Sequence, residues 1–201
     1  MNHINLNFEI EKAKKLTKKG NVEKAIKIYE NIVLHYPKNS RVLKELEDLK
    51  FDSFKLSYDQ ILTLYNEKKY DEALILAEKL LIANSESYTL LSLLGAISLN
   101  LKDIIGAKYY FNQSISINPH FAEAYNNLGL LHMGFKEFEI AVDYFHKAVE
   151  VKPDFTESYK NLGKIYKIMD KPSEAIEYYK KAFETNKKDI SSINEVGLIL
   201  K

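Results

Sequence analysis

The stretch AEAYNNLGLLHMGFKEFEIAVDYFHKAVEVKPDF, Ala122 to Phe155, decides the fold, because its landmarks recur on either side of it at a fixed interval of 34 residues. Gly95, Gly129, Gly163 and Gly197 keep that spacing, and so do Ala73, Ala107, Ala141 and Ala175. Self-similarity at a period of about 20–50 residues marks a solenoid, whose units bury their apolar faces only against neighbouring units. Apolar residues at i, i+3, i+4 and i+7 predict short amphipathic helices, two to a unit, and neither helix of such a pair can bury its stripe alone.

Working outward, the phase divides the chain into hairpins at 54–87, 88–121, 122–155 and 156–189. Pro119 and Pro153, again one period apart, close hairpins because proline disfavours helical geometry in the residue before it. Pro172 suits the first turn of a helix, where its missing N–H costs little. Residues 6–39 read as an earlier, degenerate hairpin broken at Gly20-Asn21. The interval from Ala25 to Ala73 is 48 residues, one period plus the 14 residues 40–53, so 40–53 is expected to be an extra short helix ending in a polar break. Ser57 and Gln60 then have the form of a capping box at the start of the next helix. The segments expected are thus 1–53, a degenerate repeat plus extra helix; 54–189, four tandem units; and 190–201, the first helix of an incomplete repeat.

Composition limits the function. With 46% hydrophobic residues among 201 and a net charge of +1, the chain has ample material for a packed core. The balance of 29 Lys+Arg against 28 Asp+Glu argues against nucleic acid as partner. Cysteine is absent, which removes disulfides and thiol chemistry. The opening residues lack a leader's apolar core, and no run approaches the roughly 18 apolar residues of a membrane span, so the cytoplasm is the expected compartment.

Tyr159-x-x-Leu162-Gly163-x-x-Tyr166 with Ala175-x-x-x-Tyr179, and Tyr125-x-x-Leu128-Gly129-x-x-His132 with Ala141-x-x-x-Phe145 and Pro153, resemble the tetratricopeptide repeat. The resemblance extends to repeat regions of bacterial proteins of this family, including those fused to transferase domains. It implies an all-α, right-handed superhelical solenoid of antiparallel helix pairs: about five repeats, the extra helix and an unpaired C-terminal helix. It also implies a concave groove lined by the first helix of each pair.

At 100° per residue, the stripe pointing away from Tyr125 and Leu128 carries Glu123, Asn127 and Leu130. The next unit supplies Glu157, Asn161 and Lys164 in that phase, and the preceding one Leu93 and Ala96. These eight are the candidate peptide-binding residues. Asn127 and Asn161 resemble the asparagine ladder with which some relatives hold a peptide backbone. An amide can donate and accept at once, each bond contributing about 1 kcal/mol net. On that reading both amides are free for ligand, and removing them leaves the melting temperature nearly unchanged. The carboxylate clamp of chaperone-binding relatives is not expected, since Ser92, Ala96, Asn127, Glu157 and Asn161 lack its cations.

No glycine-rich phosphate loop or metal-ligand spacing occurs, and His132 takes the place of a family tyrosine, where a packing role is expected. The expected function is therefore a non-catalytic scaffold without cofactor or metal, binding a protein or extended peptide. The alternative makes the chain the N-terminal substrate-recognition region of a larger glycosyltransferase, sulfotransferase or oxygenase. The apolar helix 190–201 suits either a longer chain or docking on another subunit, a homo-oligomer included.

Overall fold

The structure, a computed structural model, describes residues 5–201. Residues 1–4, the start of segment 1–53 and of the stretch without a leader core, lie outside the described residues. The described residues form eleven α-helices and no strand: α1 Leu6–Lys18, α2 Val22–His35, α3 Ser40–Asn66, α4 Tyr70–Ala83, α5 Tyr88–Asn100, α6 Ile104–Ile117, α7 Ala122–Gly134, α8 Phe138–Val151, α9 Thr156–Ile168, α10 Pro172–Thr185 and α11 Ile190–Ile199. They divide into two compact units, 1–66 and 67–201.

In the first unit α1 packs on α2 and α2 on α3 around Ile10, Ala13, Ala25, Tyr29, Ile32, Val42 and Leu46. Asn39 Oδ1 accepts from Val42 N–H at 3.1 Å and caps the start of α3. The break expected after residue 53 is absent: α3 runs unbroken from Ser40 to Asn66. The capping box at Ser57 is corrected with it, since that residue lies mid-helix. The physical reason is that 40–66 contains neither glycine nor proline, so the polar pair Asp52-Ser53 alone cannot stop a helix. Phe54 and Tyr58, one turn apart with ring centroids at 5.8 Å, continue the stripe across the expected gap. The residues of the 54–87 segment are consequently shared out, α3 in the first unit and α4 in the second.

The second unit is an all-α solenoid of antiparallel pairs, α5 with α6, α7 with α8 and α9 with α10, to which α11 is added. One contact repeats in each pair. A Cβ built on Gly95 would lie 2.5 Å from Phe111 Cε1, one on Gly129 2.5 Å from Phe145 Cε1, and one on Gly163 2.9 Å from Tyr179. The aromatic ring of the second helix thus lies directly on the backbone of the first, a place no larger residue can occupy. Phe111 and Phe145 are fully buried there, each contributing about 1.5–3 kcal/mol relative to exposure.

The turn inside each pair is also shared. Glu137 N–H bonds to His132 C=O at 3.0 Å and Lys136 N–H to Met133 C=O at 3.0 Å; Lys102-Asp103 and Asp170-Lys171 repeat the arrangement after α5 and α9. It requires a left-handed residue, and Lys102, Lys136 and Asp170 have φ of 65°, 62° and 56°, as does Lys68 with 62°. After α1 the same position is held by Gly20 at φ 76°, where the strain is absent. His132 is buried and stacks on Tyr144 with centroids at 5.3 Å, as Tyr166 stacks on Tyr178 one period later, so it fills a packing position.

Three outcomes are expected in urea denaturation. Gly129→Ala costs about 1–3 kcal/mol by forcing Phe145 away, whereas Gly134→Ala, with open space around it at the end of α7, gains about 0.5–1 kcal/mol. Lys136→Gly relieves the left-handed strain and gains up to about 1 kcal/mol.

Candidate functional site

First helices of consecutive pairs touch, α5 with α7 and α7 with α9, so residues one period apart approach each other across repeat boundaries. This brings the two candidate asparagines against preceding repeats. Asn127 Nδ2 donates to Ser92 Oγ at 3.4 Å. Asn161 Nδ2 donates to Asn126 Oδ1 at 2.9 Å, and Ser158 Oγ donates to the same oxygen at 2.9 Å. One N–H of each amide is used inside the protein, binding repeat to repeat, which changes the expectation that both amides are wholly free for ligand. Their Oδ1 atoms accept no hydrogen bond among the described residues.

Leu93 is only 8% exposed, and Ala96 and Leu130 pack against the clusters around Phe111 and Phe145. Glu123 is tied to Lys152 at 3.0 Å. Glu157, Asn161 and Lys164, by contrast, are gathered around one cavity of about 200 Å³, together with Lys160, Tyr179, Ser191, Ser192 and Glu195. A hollow of about 580 Å³, lined by Lys167 and Ile168, shares Lys164, Tyr179 and Glu195 with it. The site residues that sequence reasoning missed lie mainly on α11 and were within reach of it: Ser191 and Glu195 stand one period after Glu157 and Asn161.

The cavity is electrostatically mixed. Lys160 reaches Asp189 at 3.2 Å and Glu157 at 3.8 Å, and Lys167 reaches Glu195 at 2.8 Å. Lys164 is exposed and makes no ion pair among the described residues. The Ser191 hydroxyl first, then Ser192 and Lys160, donate to Asp189 and hold its carboxyl below the usual range against a smaller opposing effect of burial. What that carboxylate contributes is therefore complete at neutral pH and is lost as pH falls through its lowered pKa. Burial, with the Glu195 carboxylate nearby, pushes the Tyr179 phenol up to about 12.

A second cavity, of about 330 Å³, lies within the first unit beside Lys14, Lys18, Tyr29, Glu45, Asp48 and Asp52. There the Tyr29 hydroxyl donates to Glu45 at 2.7 Å, and burial lifts the phenol well above its usual range. Burial alone would raise Glu45 as well, but hydrogen bonds from Tyr29, Arg41 and Lys14 outweigh it and hold that carboxyl low. Among the described residues no group of three His, Cys, Asp or Glu is placed to hold a metal ion, and no helix is long and apolar enough to cross a membrane.

Residues 122–155 and 156–189 each match the sequence profile of the tetratricopeptide repeat. No curated protein is significantly similar to the chain in sequence. Several solved structures share the fold. A thermophilic repeat protein of Thermus thermophilus is 17% identical with a TM-score of 0.64, over 97% of this chain and 98% of that one. PilF of Pseudomonas aeruginosa is 20% identical with a TM-score of 0.68, over 75% and 69%. YrrB, described as having an unusual peptide-binding site, is 20% identical with a TM-score of 0.57, over 93% and 89%.

Asn126→Ala removes the acceptor shared by Asn161 and the fully buried Ser158 and is expected to cost about 1–3 kcal/mol in urea denaturation. Asn127→Ala breaks only a 3.4 Å bond to Ser92 and should stay within about 0.5 kcal/mol. Equal losses would show that the Asn126 junction is not a special link between repeats.

Proposed function

We propose that the chain, whose residues 122–155 and 156–189 match the tetratricopeptide repeat, is a non-catalytic scaffold that holds an extended peptide or partner segment along the first helices of its second unit. The observation that carries this is the cavity in which Glu157, Lys160, Asn161 and Lys164 meet Ser191, Ser192 and Glu195. Its lining offers both signs of charge, hydroxyls and an amide oxygen, the set of groups a polypeptide backbone and polar side chains can satisfy. A family fold that serves protein–protein interaction, and a similarly folded protein described as peptide-binding, support the reading.

One of the two N–H donors of each asparagine amide is already used, so Asn127 and Asn161 keep one N–H and the Oδ1 with which to hold a peptide backbone. Specificity then falls to Lys164, whose exposed ammonium favours an acidic side chain on the ligand and loses much of that preference at high salt. The near-neutral charge supports a protein partner over nucleic acid, and the lack of cysteine is compatible with the cytoplasm.

Selection from a displayed library of extended peptides against the whole chain should return sequences with an acidic residue. Titration of such a peptide should weaken by about tenfold in Lys164→Glu, because opposite charges become like charges in a partly desolvated site. The melting temperature should hold, since Lys164 has no ion pair to lose. Affinity unchanged in Lys164→Glu would place the peptide elsewhere and sink the proposal.

A further inference from the structure

The two cavities are built on one register. Tyr29 and Tyr179 stand 150 residues apart, and at the same interval Ala13 corresponds to Gly163, Lys14 to Lys164, Ala25 to Ala175 and Glu45 to Glu195. The backbone agrees, since Gly20 and Asp170, again one such interval apart, are both left-handed. In each cavity a first helix supplies the lysine, its partner helix the tyrosine, and the helix that follows them the glutamate.

In the first unit these three groups close on one another. Glu45 is bracketed by the Tyr29 hydroxyl at 2.7 Å, Lys14 at 3.3 Å and Arg41 at 3.2 Å. In the second unit they stay apart. Lys167, which stands where the first unit has Thr17, draws Glu195 to itself at 2.8 Å. Ser191, which stands where the first unit has Arg41, turns its hydroxyl to Asp189. Lys164 is left without an ion pair, and the Tyr179 hydroxyl makes no hydrogen bond among the described residues.

An unpartnered hydroxyl on so buried a side chain points to a ligand. Tyr179 is 5% exposed, its ring is held against the backbone of Gly163, and it lines both the cavity and the larger hollow. With its phenol pushed up to about 12 it stays protonated, and hence a donor, throughout the neutral range. A fixed hydroxyl beside an ammonium is best satisfied by a charged acceptor. We propose that Tyr179 and Lys164 together hold the side-chain carboxylate of a glutamate or aspartate in the bound peptide, in the position that Glu45 takes between Tyr29 and Lys14. This deepens the reading of the cavity as a peptide site and rests on it.

The competing occupant is the chain's own Glu195. Its commitment to Lys167 leaves the hydroxyl and the Lys164 ammonium to a carboxylate from outside. The two tyrosines therefore differ in what their hydroxyls hold. Tyr29→Phe takes a bond away from a charged acceptor and should lower the melting temperature, whereas Tyr179→Phe removes a hydroxyl that holds nothing and should leave it unchanged.

The probe is a capped peptide, acetyl-Ala-Ser-Glu-Ser-Ala-amide, titrated against the whole chain carrying isotope-labelled tyrosine rings and backbone amides. The ring signal of Tyr179, identified by its loss in Tyr179→Phe, and the amide signals around the cavity should shift saturably. The capped peptide with glutamine in place of glutamate should bind about tenfold or more weakly, and so should the glutamate peptide to Tyr179→Phe, the loss expected for a hydrogen bond to a charged group. Absence of a shift, equal binding of the glutamate and glutamine peptides, or undiminished binding by Tyr179→Phe overturns the proposal. So does a glutamine peptide with a free C-terminal carboxylate that matches the capped glutamate peptide, since the site would then read a chain end. If Tyr179→Phe binds fully while Lys164→Glu loses affinity, the peptide site stands without this carboxylate assignment; if neither variant loses affinity, both readings fall.

Discussion

A ring pressed against a helix backbone is the constraint on which the second unit depends. Phe111, Phe145 and Tyr179 each lie where the Cβ of Gly95, Gly129 or Gly163 would otherwise be. The contact sets how closely the two helices of a pair approach, and the fully buried Ala107, Ala141 and Ala175 allow that approach one turn earlier. Once the separation is set, the turn between the helices has little freedom. A left-handed residue is needed there, and two of the three pairs, at Lys102 and Lys136, tolerate lysine despite the strain because the packing on either side over-determines the backbone.

A different kind of bond joins one pair to the next. Apolar packing between neighbouring first helices leaves a polar seam, in which Asn126, Ser158 and Asn161 satisfy one another and Asn127 reaches back to Ser92. Buried polar junctions of this sort add little net stability but penalise any shift in register, since a slip would strand several donors at once. Repeat register and the proposed ligand surface thus draw on adjacent residues, Asn126 facing in and Asn127 facing the side where we place the peptide.

The repeat was legible because it is written in residues with steric meaning. Glycine at a contact, alanine at a close approach and proline at a stop each exclude alternatives, and their recurrence identifies the helix pairs. The length of α3 was not legible, because Asp52 and Ser53 are as acceptable on an exposed helix face as in a loop, and nothing in 40–66 forbids either. The inward role of Asn126 was hidden for a related reason: periodicity gives a side chain's direction, but not what a neighbouring repeat places in front of it. The contribution of α11 to the cavity was available from the period itself, through Ser191 and Glu195, had the register been extended one unit further.

The lining of that cavity is divided between two kinds of structure. Glu157, Lys160, Asn161 and Lys164 stand on α9, which is braced on both sides, whereas Ser191, Ser192 and Glu195 stand on α11, which is braced on one. A helix with one neighbour opens at a lower free energy than a helix with several, so among the described residues the α11 wall exchanges its amide hydrogens with water before the α9 wall. Any ligand that touches both walls is bound only by the closed form and draws the opening equilibrium toward order by mass action. Occupancy of the cavity is thereby converted into a change in how long α11 stays folded.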